Sequence, residues 1–283
     1  LFVGTEFAFF FSTNAGGSWT QLKNGLPTIS VKDIAIQSRE SDLVIATFGR
    51  GFYIIDDYSP LRLINSEITR QDGYLFPVKD ALSYMRSSGK GSQGSNYFRA
   101  PNPEYGAQFY YYIKEVPKTL NQIRRENEKK LFKDSKPIPQ PSPEQLREES
   151  EEIEPYLTFT ILDETGVVVR RIYSKASSGI NKVYWDLAYH STFPIDRLDK
   201  FNPLSRVGTG TPVLPGKYSV SMALVTREGV TNIGDTRYFS VKPLNNSSLP
   251  QNDRKELVEF QKLASELVRK VVATQRLLNE NIE

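Results

Sequence analysis

The chain of 283 residues carries 36 basic and 33 acidic side chains, and a net charge of +3 gives no reason to expect a nucleic-acid partner. It has no cysteine and a single histidine, His190, which excludes disulfides, thiolate metal sites and a zinc site built from several histidines. No apolar run approaches the roughly 18 residues of a membrane-spanning helix, so we expect no membrane span. The length predicts two domains, and because Leu1 already lies in a strand-like run, we expect a piece of a longer protein.

Residues 1–60 predict a series of short antiparallel strands. Short apolar runs alternate there with turn signals such as Asn24-Gly25 and Gly49-Arg50, a pattern that is typical of an all-β unit. A four-stranded propeller blade takes about 40–45 residues, so this stretch holds little more than one blade. The predicted strands are Leu1–Glu6, Ala8–Ser12, Trp19–Leu22, Val31–Gln37, Leu43–Phe48 and Gly51–Ile55.

Residues 61–106 are predicted to be a linker and a flexible surface loop. The apolar run Tyr74–Val78 is followed by Arg86–Gly106, which is rich in Gly, Ser, Asn and Pro. Such a composition offers little side-chain surface to bury and much backbone entropy to lose on folding.

Residues 107–244 predict an immunoglobulin-like β-sandwich, since six or seven strands with turn signals between them fit that architecture. Asp163-Glu164-Thr165-Gly166 and Arg227-Glu228-Gly229 are typical of hairpin turns, and Pro215-Gly216 predicts a tight turn before a long strand. The predicted strands are Phe109–Lys114, Tyr156–Leu162, Val167–Tyr173, Lys182–Leu187, Lys217–Val225 and Thr236–Lys242.

An insertion at residues 117–155 interrupts this sandwich. Lys118–Lys136 is mostly basic and Glu144–Glu154 mostly acidic, both consist of good helix formers, and Pro137–Pro143 separates them. Two crossing helices of complementary charge are one interpretation, and a solvated, partly disordered excursion is the other.

Residues 245–283 predict a C-terminal amphipathic helix. Asp253 and Glu256 have the spacing of a capping box at its start. Apolar residues then recur in steps of three and four and form one stripe, which requires a partner surface. The stripe consists of Leu257, Phe260, Ala264, Leu267, Val271 and Leu278.

A turn motif at residues 12–19 carries the most specific local signal. The short polar side chain of Asn14 can bond backbone amides inside the turn, Gly16 permits a positive φ, and Trp19 packs where the returning strand begins. Together with Ser12 these residues resemble the Asp-box of bacterial neuraminidase (BNR) repeats, Ser-x-Asp-x-Gly-x-x-Trp, with Asn14 in the place of Asp. The motif has a structural role in propeller blades and is not catalytic.

The resemblance extends over most of the chain. Leu1–Glu6, Gly25-Leu26-Pro27 and Thr47–Tyr53 are similar to the last blades of a secreted, sortilin-like BNR propeller, a family that occurs in Bacteroidetes and is often labelled glycosyl hydrolase by analogy. Pro155–Tyr173 and Leu214–Tyr218 resemble the FlgD-type immunoglobulin-like domain that follows such a propeller.

This resemblance implies a secreted, periplasmic or cell-surface protein. The expected function is non-catalytic: the chain braces the propeller and presents surfaces for a glycan or a protein, and its first partner is the remainder of the propeller upstream. The alternative is a glycoside hydrolase whose main catalytic residues lie in the propeller outside this sequence. No cofactor or metal ion is expected.

Four residues are candidates for ligand binding. Arg50, between two glycines, and Asp57, before Pro60, could reach the mouth of the propeller, although hydrogen bonding between blades for Arg50 and within a turn for Asp57 is the favoured explanation. Tyr110 and Tyr112 lie on one face of a predicted strand and could stack on sugar rings. We expect Trp185 to lie in the sandwich core instead, on the face that it shares with Val183 and Leu187.

Three further patterns carry no function in this interpretation. Gly89–Gly94 satisfies G-x-G-x-x-G without the flanking strand and helix of a dinucleotide site. His190 is expected to be a lone loop histidine. Asp163, Glu164, Asp196 and Asp199 lack the dense spacing of a calcium loop.

Overall fold

The computed structural model describes residues 1–85, 100–194, 202–205, 208–244 and 251–282. The chain divides into two compact units: Leu1–Gln71 with Pro101–Pro103 forms the first, and the other described residues from Asp72 onward form the second. Strands predominate over helices, which confirms the mainly-β fold class. Residues 86–99, which hold most of the predicted flexible loop and its glycine-rich motif, lie outside the described residues.

The first unit contains two antiparallel sheets of three strands each and two short helices. Both sheets are meanders, in which each strand pairs with the next one along the chain. The first sheet consists of β1 (Phe2–Gly4), β2 (Phe9–Phe11) and β3 (Thr20–Gln21); the second consists of β4 (Val31–Gln37), β5 (Asp42–Thr47) and β6 (Phe52–Ile55); the helices are α1 (Ser59–Leu63) and α2 (Ser66–Arg70).

A small aromatic and aliphatic core holds the first unit together. Phe9, Leu43, Ile45 and Tyr58 are buried. The Phe2 ring stacks on that of Phe9 with centroids 5.8 Å apart and meets that of Tyr58 edge-on at 5.3 Å. Alternation along β5 explains this core, because Leu43 and Ile45 are two residues apart and share the inner face.

The second unit is a β-sandwich of a five-stranded and a three-stranded sheet. The five-stranded sheet has the order β11-β10-β15-β16-β8, with only the β16–β8 pair parallel, and the three-stranded sheet has the order β12-β9-β7. A β13–β14 hairpin lies beside β11. The strands are β7 (Gly73–Leu75), β8 (Ala81–Ser83), β9 (Ala107–Ile113), β10 (Tyr156–Asp163), β11 (Val168–Lys175), β12 (Gly179–Trp185), β13 (Ala188–His190), β14 (Thr209–Pro212), β15 (Gly216–Thr226) and β16 (Gly229–Pro243).

The inner faces of both sheets form one core around Trp185, as the sequence predicts. The Trp185 side chain is fully buried, and its indole Nε1–H donates to the carbonyl oxygen of Ala188 at 2.9 Å. Its ring packs edge-on against Tyr218 and Phe239, with centroids 5.2 and 6.1 Å away. Gly106, with a φ of 121°, lies against this strand, and a Cβ there would meet the Trp185 carbonyl oxygen at 1.9 Å.

Two sandwich strands come from the segment that the sequence analysis assigned to the linker. β7 pairs with β9, and β8 pairs in parallel with the end of β16. Asp80, just before β8, accepts the Ser240 N–H at 2.9 Å and forms an ion pair with Lys242 at 2.6 Å. Each strand is only three residues long, so its sequence shows no periodicity and distant partners decide its conformation.

The insertion forms two helices, α3 (Leu120–Lys133) and α4 (Pro143–Glu151), which agrees with the helical interpretation. Capping boxes begin both helices, with Thr119 and Ser142 as the N-cap residues. The Arg124 guanidinium donates two hydrogen bonds to the Glu149 carboxylate, at 2.6 and 2.8 Å. The basic segment and the acidic segment are therefore joined by a bidentate ion pair between α3 and α4.

Helix α5 (Gln251–Ile282) follows the sandwich as predicted. Val258 is buried, Lys262 Nζ lies 4.9 Å from the Tyr189 ring centroid, and Arg276 donates to the Pro194 carbonyl at 3.1 Å. No helix within the described residues has the length and apolar character that crossing a membrane requires.

Candidate functional site

The Asp-box-like turn is built from side-chain hydrogen bonds to its own backbone. Asn14 Oδ1 accepts the backbone N–H of Ser18 at 2.8 Å and the hydroxyl of Ser12 at 3.0 Å. The Ser12 hydroxyl oxygen in turn accepts the N–H of Gly16 at 2.8 Å. The turn therefore uses the oxygen of Asn14 in the way that an Asp carboxylate would be used.

Gly16 and Trp19 complete this turn. Gly16 has a φ of 95°, the left-handed region that favours glycine. A Cβ added at Gly16 would lie 3.8 Å from the Trp19 ring, so the indole packs along the turn, while 43% of Trp19 stays exposed. All of these contacts lie within the turn itself, as the structural role predicted from the sequence requires.

Arg50 and Asp57 do not form a common site. Arg50 is exposed in the turn between β5 and β6, and Asp57 follows the other end of β6. At about 3.3 Å per residue, a strand of this length places them well beyond the reach of one sugar ring. Asp57 has a φ of 53°, its carboxylate accepts the Ser59 N–H at 3.1 Å, and its own N–H donates to Asp42. These contacts fit the turn role that the sequence analysis weighed for Asp57.

Four tyrosines share the outer face of the three-stranded sheet, which we call the tyrosine face. Along β9 every second side chain is buried, so Tyr110 and Tyr112 point away from the core and are half-buried. The register places Tyr74 of β7 opposite Tyr112 and Tyr184 of β12 opposite Gln108. Residues that lie opposite each other in an antiparallel pair share a face, so the four rings lie on one side of the sheet, together with the buried ring of Phe76, which meets Tyr74 edge-on at 5.1 Å.

Cationic groups lie beside two of these rings. Lys182, opposite Tyr110, has its Nζ 5.4 Å from the Tyr184 ring centroid. The Arg237 guanidinium lies 5.0 Å from the centroid of the Tyr74 ring. Arg237 also donates to the Leu75 carbonyl at 2.7 Å, so it is fixed beside the sheet. These cations orient the tyrosine rings and add hydrogen-bond donors to the face.

A cleft of about 430 Å³ adjoins the tyrosine face at Tyr184. Arg170 is fixed in it by a 2.6 Å hydrogen bond to the Tyr189 carbonyl, and Asp186 accepts the Thr209 hydroxyl at 3.1 Å. The cleft therefore combines aromatic rings with fixed donors and acceptors, the composition of a polar ligand site. Its lining includes Glu104, Tyr105, Arg170, Arg171, Tyr173, Tyr184 and Asp186.

Four carboxyl groups of the described residues have lowered pKa values and are stabilised in their charged form. A glycosidase general acid needs the opposite shift, toward neutrality. No group of three or more His, Asp or Glu side chains that could hold a metal ion occurs among the described residues either. The carboxyls with lowered pKa values are Asp80, Glu126, Glu149 and Asp163.

Comparisons with known proteins do not assign the chain to a family. No protein-family model and no curated protein matches it. It is similar to the extracellular domain of a protein from B. thetaiotaomicron designated a one-component system, at 11% identity and a TM-score of 0.18, over 88% of this chain and 24% of that one. A second match is the extracellular domain of a hybrid two-component system from the same organism, at 10% identity and a TM-score of 0.20, over 86% and 30%.

The chain thus spans less than a third of the length of either neighbour. TM-scores of this size establish no common fold and carry no argument about function. The resemblance of the first unit to a BNR propeller, and of the sandwich to a FlgD-type domain, stays a prediction.

Two of the four rings in the tyrosine face, Tyr110 and Tyr112, were predicted from the sequence as candidates for ligand binding. Tyr74 and Tyr184 were not, although both lie in predicted apolar or strand segments. Their position beside Tyr110 and Tyr112 follows from the register of β7 and β12 against β9, and no local pattern shows that register.

Proposed function

We propose that this chain is a non-catalytic binding part of a secreted BNR-propeller protein and that its tyrosine face binds glycan. The observation that carries the proposal is the row of four rings on the outer side of the three-stranded sheet. Tyr110 and Tyr112, two residues apart on β9, are separated by about 7 Å along the strand. Rings at such intervals can stack on successive sugar units of an extended chain.

The groups around the rings support a sugar ligand over a purely apolar one. Lys182 and the hydroxyl of Tyr184 can offer hydrogen bonds to sugar hydroxyls beside the rings, while the Tyr110 hydroxyl donates to Gln108 Oε1 at 3.3 Å. The adjoining cleft at Tyr184 adds Arg171 and Asp186, so a glycan end could leave the flat face and enter a polar recess. A protein ligand would favour a more continuous apolar surface at its centre.

The two three-stranded meanders and the Asp-box-like turn support the placement of the first unit in a propeller. Successive antiparallel meanders are the building units of propeller blades. For the glycosidase alternative, the best candidate for a catalytic carboxylate is Asp57. Its carboxylate hydrogen bonds within a turn, and Arg50 lies beyond the other end of β6. For this reason we propose a binding role over a catalytic one.

A polysaccharide panel titrated calorimetrically into the purified chain tests the proposal. The double variant Tyr110→Ala/Tyr112→Ala should lose about 1 kcal/mol of stacking energy for each ring that is removed. We therefore expect it to bind roughly 30-fold more weakly than the parent chain. Tyr238→Ala is the matched control, because Tyr238 is 79% exposed on the five-stranded sheet. Near-UV circular dichroism checks that both variants stay folded.

Three results would contradict the proposal. They are no binding by the parent chain, equal binding by the double variant, and an equal loss in Tyr238→Ala. Hydrolysis of a panel member that disappears in Asp57→Asn would support the glycosidase alternative instead.

A further inference from the structure

Helix α5 has an apolar side that the sandwich does not cover. Its contacts with the remainder of the second unit come from the side that carries Val258 and Lys262. On the other side Phe260 is 68% exposed, Leu267 63% and Val271 57%. Large apolar side chains exposed together along one helix mark an interaction surface.

The exposed residues have the repeat of a coiled coil. Steps of three and four from Leu257 to Val271, followed by a step of seven to Leu278, place them at a and d positions, with the polar Thr274 at the remaining d position. A strict repeat of 3.5 residues keeps such a seam turned toward a second helix along its whole length. We call this surface the seam of α5, and its apolar members are Leu257, Phe260, Ala264, Leu267, Val271 and Leu278.

The size of the surface matches that of a stable dimer interface. Leu263, Val268 and Leu277 border the seam and are 70%, 46% and 48% exposed. Together with the seam residues other than Ala264, these three side chains expose on the order of 700 Å² of apolar surface. A standard protein–protein interface buries about 800 Å² per partner, which is a similar area. Helix α5 is 32 residues long, or about 48 Å, which accommodates more than three heptads.

Charges beside the seam permit pairing with an identical helix. In a parallel, in-register pair, each g position faces the e position of the next heptad in the other copy. The facing pairs are Glu256 with Gln261, Leu263 with Val268, and Lys270 with Gln275. None of them places like charges together, so no repulsion opposes this arrangement.

We propose that two copies of this chain associate through α5 as a parallel, in-register coiled coil. The seam supplies the apolar contacts, and the opposite side of each helix keeps its contacts with its own sandwich. This association is independent of glycan binding by the tyrosine face.

Sedimentation equilibrium of the full chain, from low to high micromolar concentration, tests the association. We expect the mass to rise toward twice the 32.2 kDa of one chain. Leu267→Glu/Val271→Glu keeps good helix formers but charges the seam, and it should hold the mass at one chain throughout. Val230→Glu/Tyr238→Glu is the matched control, because it adds the same charges at exposed apolar positions outside α5 and should still dimerise.

Cross-linking tests the orientation, and the absence of cysteine from the chain makes it specific. In a parallel, in-register pair, Leu267→Cys brings two thiols together across the seam, whereas Lys262→Cys points them toward the sandwich. Oxidation should give a covalent dimer from the first variant and leave the second monomeric. A parent chain that stays monomeric, a seam variant that still dimerises, or equal cross-linking at both positions would overturn the proposal.

Discussion

Replacing Trp185 with alanine should be one of the most destabilising single changes in the sandwich. The side chain is fully buried and packs against Tyr218 and Phe239. Burial of roughly 200 Å² at about 25 cal/mol per Å² gives an upper value near 5 kcal/mol. Measured costs of Trp→Ala changes in cores are about 3–5 kcal/mol, and we expect the free energy of unfolding of Trp185→Ala to fall within that range.

A second variant separates packing from hydrogen bonding. Trp185→Phe keeps an aromatic ring in the core but removes the indole N–H that donates to the Ala188 carbonyl. Leaving that carbonyl unsatisfied should cost about 1–3 kcal/mol. Trp185→Phe is therefore expected to be destabilised, but less than Trp185→Ala.

Urea unfolding followed by far-UV circular dichroism measures both variants against the parent. In Trp185→Ala the only tryptophan left is Trp19, so its fluorescence reports on the first unit, whereas far-UV circular dichroism reports on the whole chain. Trp19→Ala serves as a control, since a side chain that is 43% exposed should cost much less. A loss below about 1 kcal/mol for Trp185→Ala, with an unchanged denaturant slope, would refute the assignment of Trp185 to a close-packed core.

Two further changes test local features. Asn14→Ala removes the oxygen that accepts the Ser18 N–H and should lower the stability of the first unit by about 1 kcal/mol, while Asn14→Asp should be nearly neutral in thermal melts at pH 7. Hydrogen bonds from Arg124 lower the pKa of Glu149 to about 2, from an ordinary value near 4.5. The α3–α4 contact should therefore be fully stabilised above pH 4.5 and weaken as the pH falls toward 2. This dependence should be smaller in Arg124→Ala, as measured by NMR titration of Glu149, because only Asn121 and Arg125 then lower its pKa.

Strand and helix periodicity in the sequence predicted most of the long elements of the fold, although β16 begins at Gly229, seven residues before the predicted strand. Alternation between core and surface is clear in β9 and β10, and the stripe of α5 has helical spacing. The β13–β14 hairpin falls in a stretch predicted as a loop, because β13 is only three residues long and its pairing has an irregular register. Strands this short depend on partners that a local window does not contain.

The candidate site was predictable to the extent that it lies on one strand. Tyr110 and Tyr112 follow from the alternation along β9. The carboxylates and arginines of the adjoining cleft come from separate segments, among them Glu104, Arg171 and Asp186. These side chains come together only because of the way the two sheets pack, and the spacing of residues in the sequence does not reveal that packing.

The pairing of β8 with β16 determines when the sandwich can be completed during synthesis. The hydrogen bonds from Arg237 to Leu75 and from Ser240 to Asp80 join residues that are 162 and 160 positions apart. At about 5–20 residues per second, a ribosome needs roughly 8–32 s to produce β16 after β8 has emerged. Throughout that interval β8 lacks its partner strand, and refolding of the intact chain should be limited by closure of this long loop.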